Sequence, residues 1–265
     1  MNKKNVFGVL VNAIDYQGAV DEIICHGRDE KALSVSALAV HGLMTGALNS
    51  QHRYRLNSVS LILPDGQPVR WALNILHGAK LTDRVYGPTL MLKVCNSAAS
   101  ARIPVFLFGS DADTLDRLKD NLQRQNPDLQ IVGTKPSQFR QLSVSEKNDL
   151  VDEIKSSGAR IVFVGLGCPR QEIFVYEMSS ALNMPLIAVG AAFAFHAGVL
   201  PQAPPLMQKM GLEWLFRLYK EPGRLWQRYL FYNSMFLLFF LLQLSGIRNF
   251  KATRQVKPSK AHRYG

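Results

Sequence analysis

Through its first two hundred residues the chain alternates short apolar runs with helix-like segments, and few architectures accommodate that rhythm. The runs at 6–12, 32–37, 58–63, 105–108, 130–133, 160–164 and 185–189 are β-branched or apolar and close on Gly, Pro, Asp or Asn. Between them lie helical patterns, among them 69–77, 90–101, 114–125, 145–157 and 171–183. Near-continuous apolar strands separated by helices predict an α/β fold, a mostly parallel sheet covered on both faces. In such sheets ligands bind beyond the carboxyl ends of the strands, so the residues just after each strand are the ones to read.

The proline-rich stretch 201–205 divides this α/β region, 1–204, from a different kind of sequence. Residues 205–265 carry eleven basic side chains against Glu213 and Glu221, so they hold +9 of the formal +11. Between the basic clusters lies 229–247, the most hydrophobic stretch of the chain. Cations flanking an apolar helix suit an anionic bilayer surface, where headgroups pair with the charges and side chains enter the acyl region. The stretch is at the lower limit for a span, since roughly 20 residues are needed for the hydrocarbon core. It also carries Asn233, Ser234 and Gln243, and a span would carry the basic tail outward against the positive-inside rule. A helix lying in the interface is the expectation; a core helix or a surface for a homo-oligomer is the other way to read it. Residues 205–250 thus form a membrane-associating appendage, and 251–265 read as a basic disordered tail.

The same charge would also suit nucleic acid, but no helix-turn-helix, zinc-finger or aromatic RNA-binding pattern accompanies it. Cys25, Cys95 and Cys168 are odd in number and widely spaced, which reads as three thiols in a reducing compartment. The apolar run near the N-terminus is too short for a secretory signal.

Three post-strand turns carry candidate chemistry. Asp65 and Gly66 turn into a helix opened by Pro68, which places Asp65 near a helix N-terminus that favours its ionised form. There it is either a base for an acceptor hydroxyl or a plain turn and capping aspartate. Gly165-Leu166-Gly167-Cys168-Pro169-Arg170-Gln171-Glu172 offers glycines and free N–H groups suited to a phosphate, without the third glycine of a dinucleotide fingerprint. Gly109-Ser110 is a weaker turn of the same kind. Asp111 and Asp113 match the D-x-D pattern of metal-diphosphate sites, although capping the next helix accounts for them more simply. The histidines show no metal-ligand spacing; His41 and His196 follow strands and could line a site.

In combination, these pieces resemble the WecG/TagA/CpsF family of bacterial glycosyltransferases. The resemblance runs over 6–229. It rests on Leu63-Pro64-Asp65-Gly66, Arg84-Val85-Tyr86-Gly87, the run Val105 to Gly109, Val164 to Glu172, Val189-Gly190-Ala191-Ala192-Phe193, Ala203-Pro204, Gly211 to Leu218, and Glu221-Pro222. It implies a Rossmann-like catalytic domain of the GT-E type and a C-terminal appendage that docks on the membrane and helps complete the site. It further implies inverting, metal-independent transfer from a UDP-sugar to a polyprenyl-diphosphate-linked saccharide, with no cofactor, at the cytoplasmic face of the bacterial inner membrane. By motif, Asp65 is expected to be the general base, with Ser36 beside it as a catalytic hydroxyl. Arg84, Gly109, Gly167, Gln171 and Glu213 are expected to contact donor or acceptor. Arg217, Arg224 and Arg228 are expected to meet diphosphate or membrane, because a metal-free transferase needs cations at the leaving group.

Three positions depart from the family pattern. Ser36-Ala37-Leu38 replaces Thr-x-Asn, Thr89 stands where an aspartate is usual, and Phe193-Ala194 replaces Phe-Asp. Losing those polar groups points away from N-acetylmannosamine and toward a plain hexose, UDP-glucose being the candidate donor, in exopolysaccharide assembly. The rival expectations are a UDP-N-acetylmannosamine transferase for a cell-surface polymer, a D-x-D metal-dependent transferase, a nucleotide-cofactor oxidoreductase and a non-catalytic membrane-associated subunit.

Overall fold

A computed structural model describes residues 2–265. In chain order the elements begin with β1 (Lys3–Val6), β2 (Val9–Asn12), α1 (Tyr16–Arg28), β3 (Leu33–Leu38), α2 (Val40–Leu48), α3 (Ser50–Ser58), β4 (Leu61–Pro64), α4 (Gln67–His77) and α5 (Gly87–Ser100). They continue with β5 (Val105–Gly109), α6 (Ala112–Gln125), β6 (Ile131–Lys135), α7 (Val144–Ser156), β7 (Ile161–Gly165), α8 (Arg170–Leu182), β8 (Pro185–Ala188) and α9 (Ala192–His196). Three helices close the series: α10 (Pro205–Lys209), α11 (Glu213–Lys220) and α12 (Pro222–Leu244).

Six strands form one all-parallel, Rossmann-like sheet in the order β4-β3-β8-β7-β5-β6. Successive strand residues face opposite sides. Phe106, Phe108, Val162, Val164, Leu186 and Ala188 enter the core shared with α2, α3, α4, α7, α8 and α12. Val105, Leu107, Ile161, Phe163, Ile187 and Val189 enter the core shared with α1, α5, α6 and α9. Apolar residues on both faces therefore produce the near-continuous apolar runs of the sequence. The helices after β3 and β8, neighbours in the sheet, go to opposite faces, and this divergence opens a crevice at the carboxyl edge.

Residues 6–12 are not the single strand that the sequence suggests. β1 and β2 are an antiparallel hairpin in a sheet of their own. Phe7 and Gly8 both take positive φ, 56° and 90°, the geometry of a two-residue hairpin turn. Asn5 accepts from the Gly8 N–H at 2.7 Å and holds that turn.

The last helix has two unlike faces. Phe236 and Phe239 meet the Phe7 ring edge-on at centroid distances of 5.2 and 5.9 Å, and Tyr232 meets His41 at 4.7 Å. Leu230, Phe231, Leu238, Leu241 and Leu244 are exposed on the other side. Among the described residues no helix is long and apolar enough to cross a membrane. Residues 251–265, read from sequence as disordered, carry no helix or strand beyond a bridge between Gln141 and Tyr264. The structure lays them along the domain: Arg53 Nη1 donates to the Arg254 carbonyl at 2.6 Å, and Leu142 N–H to that of Arg263 at 2.6 Å.

Candidate active site

The carboxyl edge of the sheet opens into a polar cleft of about 400 Å³. Its floor comes from the ends of β3, β7 and β8, and its far wall from Arg217, Arg224 and Arg228 of the C-terminal helices. A second, mainly apolar groove of about 490 Å³ runs between α4 and α12. Ala39, His41, Asp65, Glu213, Arg217 and Arg228 border both, so the two spaces meet around the Asp65 carboxyl.

Asp65 follows β4 but does not cap α4, whose N-cap Gly66 has no side-chain cap. Its Oδ1 instead accepts from the N–H of Gly87, the first residue of α5, at 2.7 Å. Asp65 therefore does not cap the helix that follows it but holds the first N–H of α5, and its other oxygen is left to the site. Burial pushes its carboxyl up to about 6, reinforced by Glu213 and opposed by Arg84, the Gly87 N–H and Arg217. A carboxyl poised there is matched to proton transfer near neutral pH.

Arg84 is buried, and its Nη2 lies 2.7 Å from Glu213 Oε2, while its guanidinium lies over the Tyr86 ring. The Tyr86 hydroxyl donates to Glu213 Oε1 at 2.9 Å. Glu213 is the first residue of α11, so these contacts fix the appendage to the sheet edge. Tyr86 belongs to a motif visible in sequence, but nothing in its spacing marked it as the second clamp on Glu213.

In the cleft lining, Glu172 Oε1 accepts from Ser36 Oγ at 3.2 Å and from Gln171 Nε2 at 2.9 Å. Burial raises the Glu172 carboxyl above its ordinary range. Ser36 is fully buried and does not itself line the cleft; its hydroxyl donates to Glu172, which does. Gln171 does line it, and its Oε1 and Glu172 Oε2 are buried without a protein partner. Gly167 lines the cleft with φ of 74°. Gly109 does not line it; a side chain there would strike the Gly165 backbone at 2.6 Å, so its role is to let β5 approach β7.

The three arginines differ. Arg224 pairs with Glu221 at 2.6 Å. Arg217 lies over the Phe195 ring, and no carboxylate among the described residues pairs with Arg217 or Arg228. Burial depresses the Arg228 guanidinium, whose Nε lacks a partner. Cations held without counter-charges are suited to an incoming diphosphate. His41 faces both spaces, and burial pushes its imidazole down to about 3, so it is neutral there. His196 instead contacts the Pro88 carbonyl.

Asp111 caps α6 through the Thr114 N–H at 2.9 Å, and Asp113 pairs with Arg117 at 3.0 Å. Among the three departures, Leu38 and Ala194 line the cleft and give it apolar wall in place of polar groups. Thr89 meets the Tyr16 hydroxyl.

A glycine-containing loop after a parallel strand, a partly buried aspartate and a wall of arginines are parts that a sugar-nucleotide transferase needs, and a family comparison decides among the candidates. A family model for glycosyl transferases of the WecG/TagA/CpsF type matches residues 4–249. The chain belongs to that family. The match reaches beyond the core domain to the end of α12, so the C-terminal arginines lie within the part that defines the family. Membership makes this a glycosyltransferase, and the oxidoreductase expectation falls away with the missing glycine fingerprint.

Proposed function

We propose that the chain is an inverting, metal-independent hexosyltransferase. It moves a sugar from a UDP-sugar, UDP-glucose first among candidates, to a polyprenyl-diphosphate-linked saccharide in bacterial exopolysaccharide assembly. It works as a peripheral or monotopic protein at the cytoplasmic face of the inner membrane. The observation that carries this reading is the position of Asp65 where the polar cleft and the apolar groove meet, with Arg217 and Arg228 bordering both.

In this reading the sugar nucleotide occupies the polar cleft, with the Gly165–Gly167 backbone and the arginines at its diphosphate. The acceptor reaches the junction from the groove side. Asp65 takes the proton of the acceptor hydroxyl as that oxygen attacks the anomeric carbon from the face opposite UDP. The bond from that carbon to the diphosphate oxygen breaks, and the departing charge passes to Arg217, Arg224 and Arg228. Arg84 and Tyr86 hold Glu213 and keep α11 in place, so the arginine wall stays registered with Asp65. The exposed apolar face of α12 and the surrounding cations hold the enzyme to the anionic surface where its acceptor resides.

The test is UDP release across a panel of UDP-sugars, including UDP-N-acetylmannosamine, with a polyprenyl-diphosphate saccharide in detergent and a chelator present. Acceptor-dependent release from one donor is expected. Silence from every donor while lipid binding is intact would overturn the reading in favour of a non-catalytic subunit. Recovery only on adding Mn²⁺ or Mg²⁺ would overturn metal independence and bring Asp111 and Asp113 back as ligands.

A further inference from the structure

The groove between α4 and α12 is more than an approach to Asp65. One wall carries Trp71 and Ile75, the other Tyr232, Phe236, Leu237 and Phe240. Its lining on α12 runs from Arg228 to Phe240, about 18 Å of helix at 1.5 Å per residue. Ile75 and Leu237 are 57% and 58% exposed although they face a concave space rather than open surface. One end is apolar; the other ends on Arg217, Arg228 and the Asp65 junction.

We infer that this groove binds the first isoprene units of the acceptor lipid, drawn out of the bilayer and laid between α4 and α12. The inference rests on the reading that the acceptor is a prenyl diphosphate, and adds where its chain goes. The occupant must be apolar along its length and anionic at the end that meets the two arginines, which describes a prenyl chain bearing a diphosphate. A second copy of the chain would bring a net charge of +11 to an already cationic mouth, so it fits poorly. The volume lies within the usual range for a small-molecule site. Threading the chain here anchors the diphosphate beside Arg217 and Arg228, which sets how far the saccharide reaches toward Asp65. The acceptor is thereby measured from its lipid end.

The experiment measures binding of dimethylallyl, geranyl, farnesyl and geranylgeranyl diphosphate to the full chain in detergent-free buffer, with no donor present. Affinity is expected to rise by about tenfold for each isoprene unit that enters the groove, then level off. Ile75→Glu and Leu237→Glu, both at exposed positions that tolerate substitution, should reduce farnesyl diphosphate affinity to that of the shortest probe. Leu230→Glu, on α12 but outside the groove, should bind as the unaltered protein does. Affinity independent of chain length, or Ile75→Glu indistinguishable from Leu230→Glu, would overturn the inference. So would a concentration-dependent dimer abolished by Ile75→Glu, which would make the groove a subunit interface. Chain-length-dependent binding without sugar transfer from any donor would leave the groove assignment standing and remove the reading it rests on. Transfer combined with chain-length-blind binding would do the reverse.

Discussion

Arg84 and Glu213, 129 residues apart in sequence, meet at 2.7 Å and join the C-terminal segment to the carboxyl edge of the sheet. Both are nearly buried, so removing one partner strands the other's charge away from water. Glu213→Gln should lower unfolding free energy by about 3 kcal/mol, and pairing it with Arg84→Met should recover much of that loss. Urea denaturation of the two single variants and the double variant measures both effects; additive losses would show that the pair is not coupled.

Asp65→Asn separates activity from stability. Asparagine keeps an oxygen for the Gly87 N–H but cannot take a proton, so kcat should fall by about 10²–10⁴. Burial raises this carboxyl from 3.8 to about 6, so the folded state binds its proton more tightly than the unfolded chain does. The group's stabilising contribution is present below about pH 4 and is lost as pH rises through 6. The variant should therefore be more stable than the native chain at pH 8, by about 1–3 kcal/mol, and gain little at pH 4. Thermal melts at both values check the sign.

The same shift predicts the pH profile. With Asp65 as the base, kcat/KM should be full above about pH 6 and fall about tenfold per unit below it. A profile flat down to pH 4.5 would remove Asp65 from proton transfer.

Two glycines should respond differently to alanine. Gly109 has φ of 117°, and an added Cβ would lie 2.6 Å from the Gly165 backbone, so Gly109→Ala should cost about 3 kcal/mol or more. Gly167 has φ of 74° but open space around it, so alanine there should cost only about 1 kcal/mol of backbone strain. Its methyl would stand in the polar cleft, so donor KM should rise while the fold persists. Equilibrium unfolding together with donor titration distinguishes the two outcomes.

The exposed face of α12 can be tested apart from the groove. Leu230 and Phe231 contribute little to the core, so a double change to Glu should leave the melting temperature nearly unchanged. Binding to vesicles containing anionic lipid should weaken by about tenfold or more. Unchanged vesicle binding would show that another surface meets the bilayer.

Much of this architecture is legible in the sequence because strand faces and helix faces leave periodic marks. The apolar runs mark the six parallel strands, and the glycine-rich turn after β7 shows where the cleft opens. Long-range convergence leaves no such mark. Nothing in local spacing says that Ser36 donates to Glu172, or that Tyr86 clamps Glu213 from 127 residues away. The hairpin at β1 and β2 was hidden because Phe7, not asparagine or glycine, takes the first positive φ of its turn. The tail's basic composition reads as disorder, yet its contacts run through backbone carbonyls that composition does not report.

The bed under α12 has a consequence for how the protein is made. The Phe7 N–H donates to Gln243 Oε1, and Gln243 Nε2 returns a bond to the Asn5 carbonyl, both at 2.9 Å. The hairpin emerges from the ribosome some 236 residues before that partner, roughly 10 to 50 s earlier at ordinary synthesis rates. During that interval the Phe7 ring has no cover from Phe236 or Phe239, and the domain is a nascent chain with an open flank. The helix proposed to meet lipid is thus also the one that completes the flank, so in that reading its arrival must serve the bilayer and the waiting hairpin together.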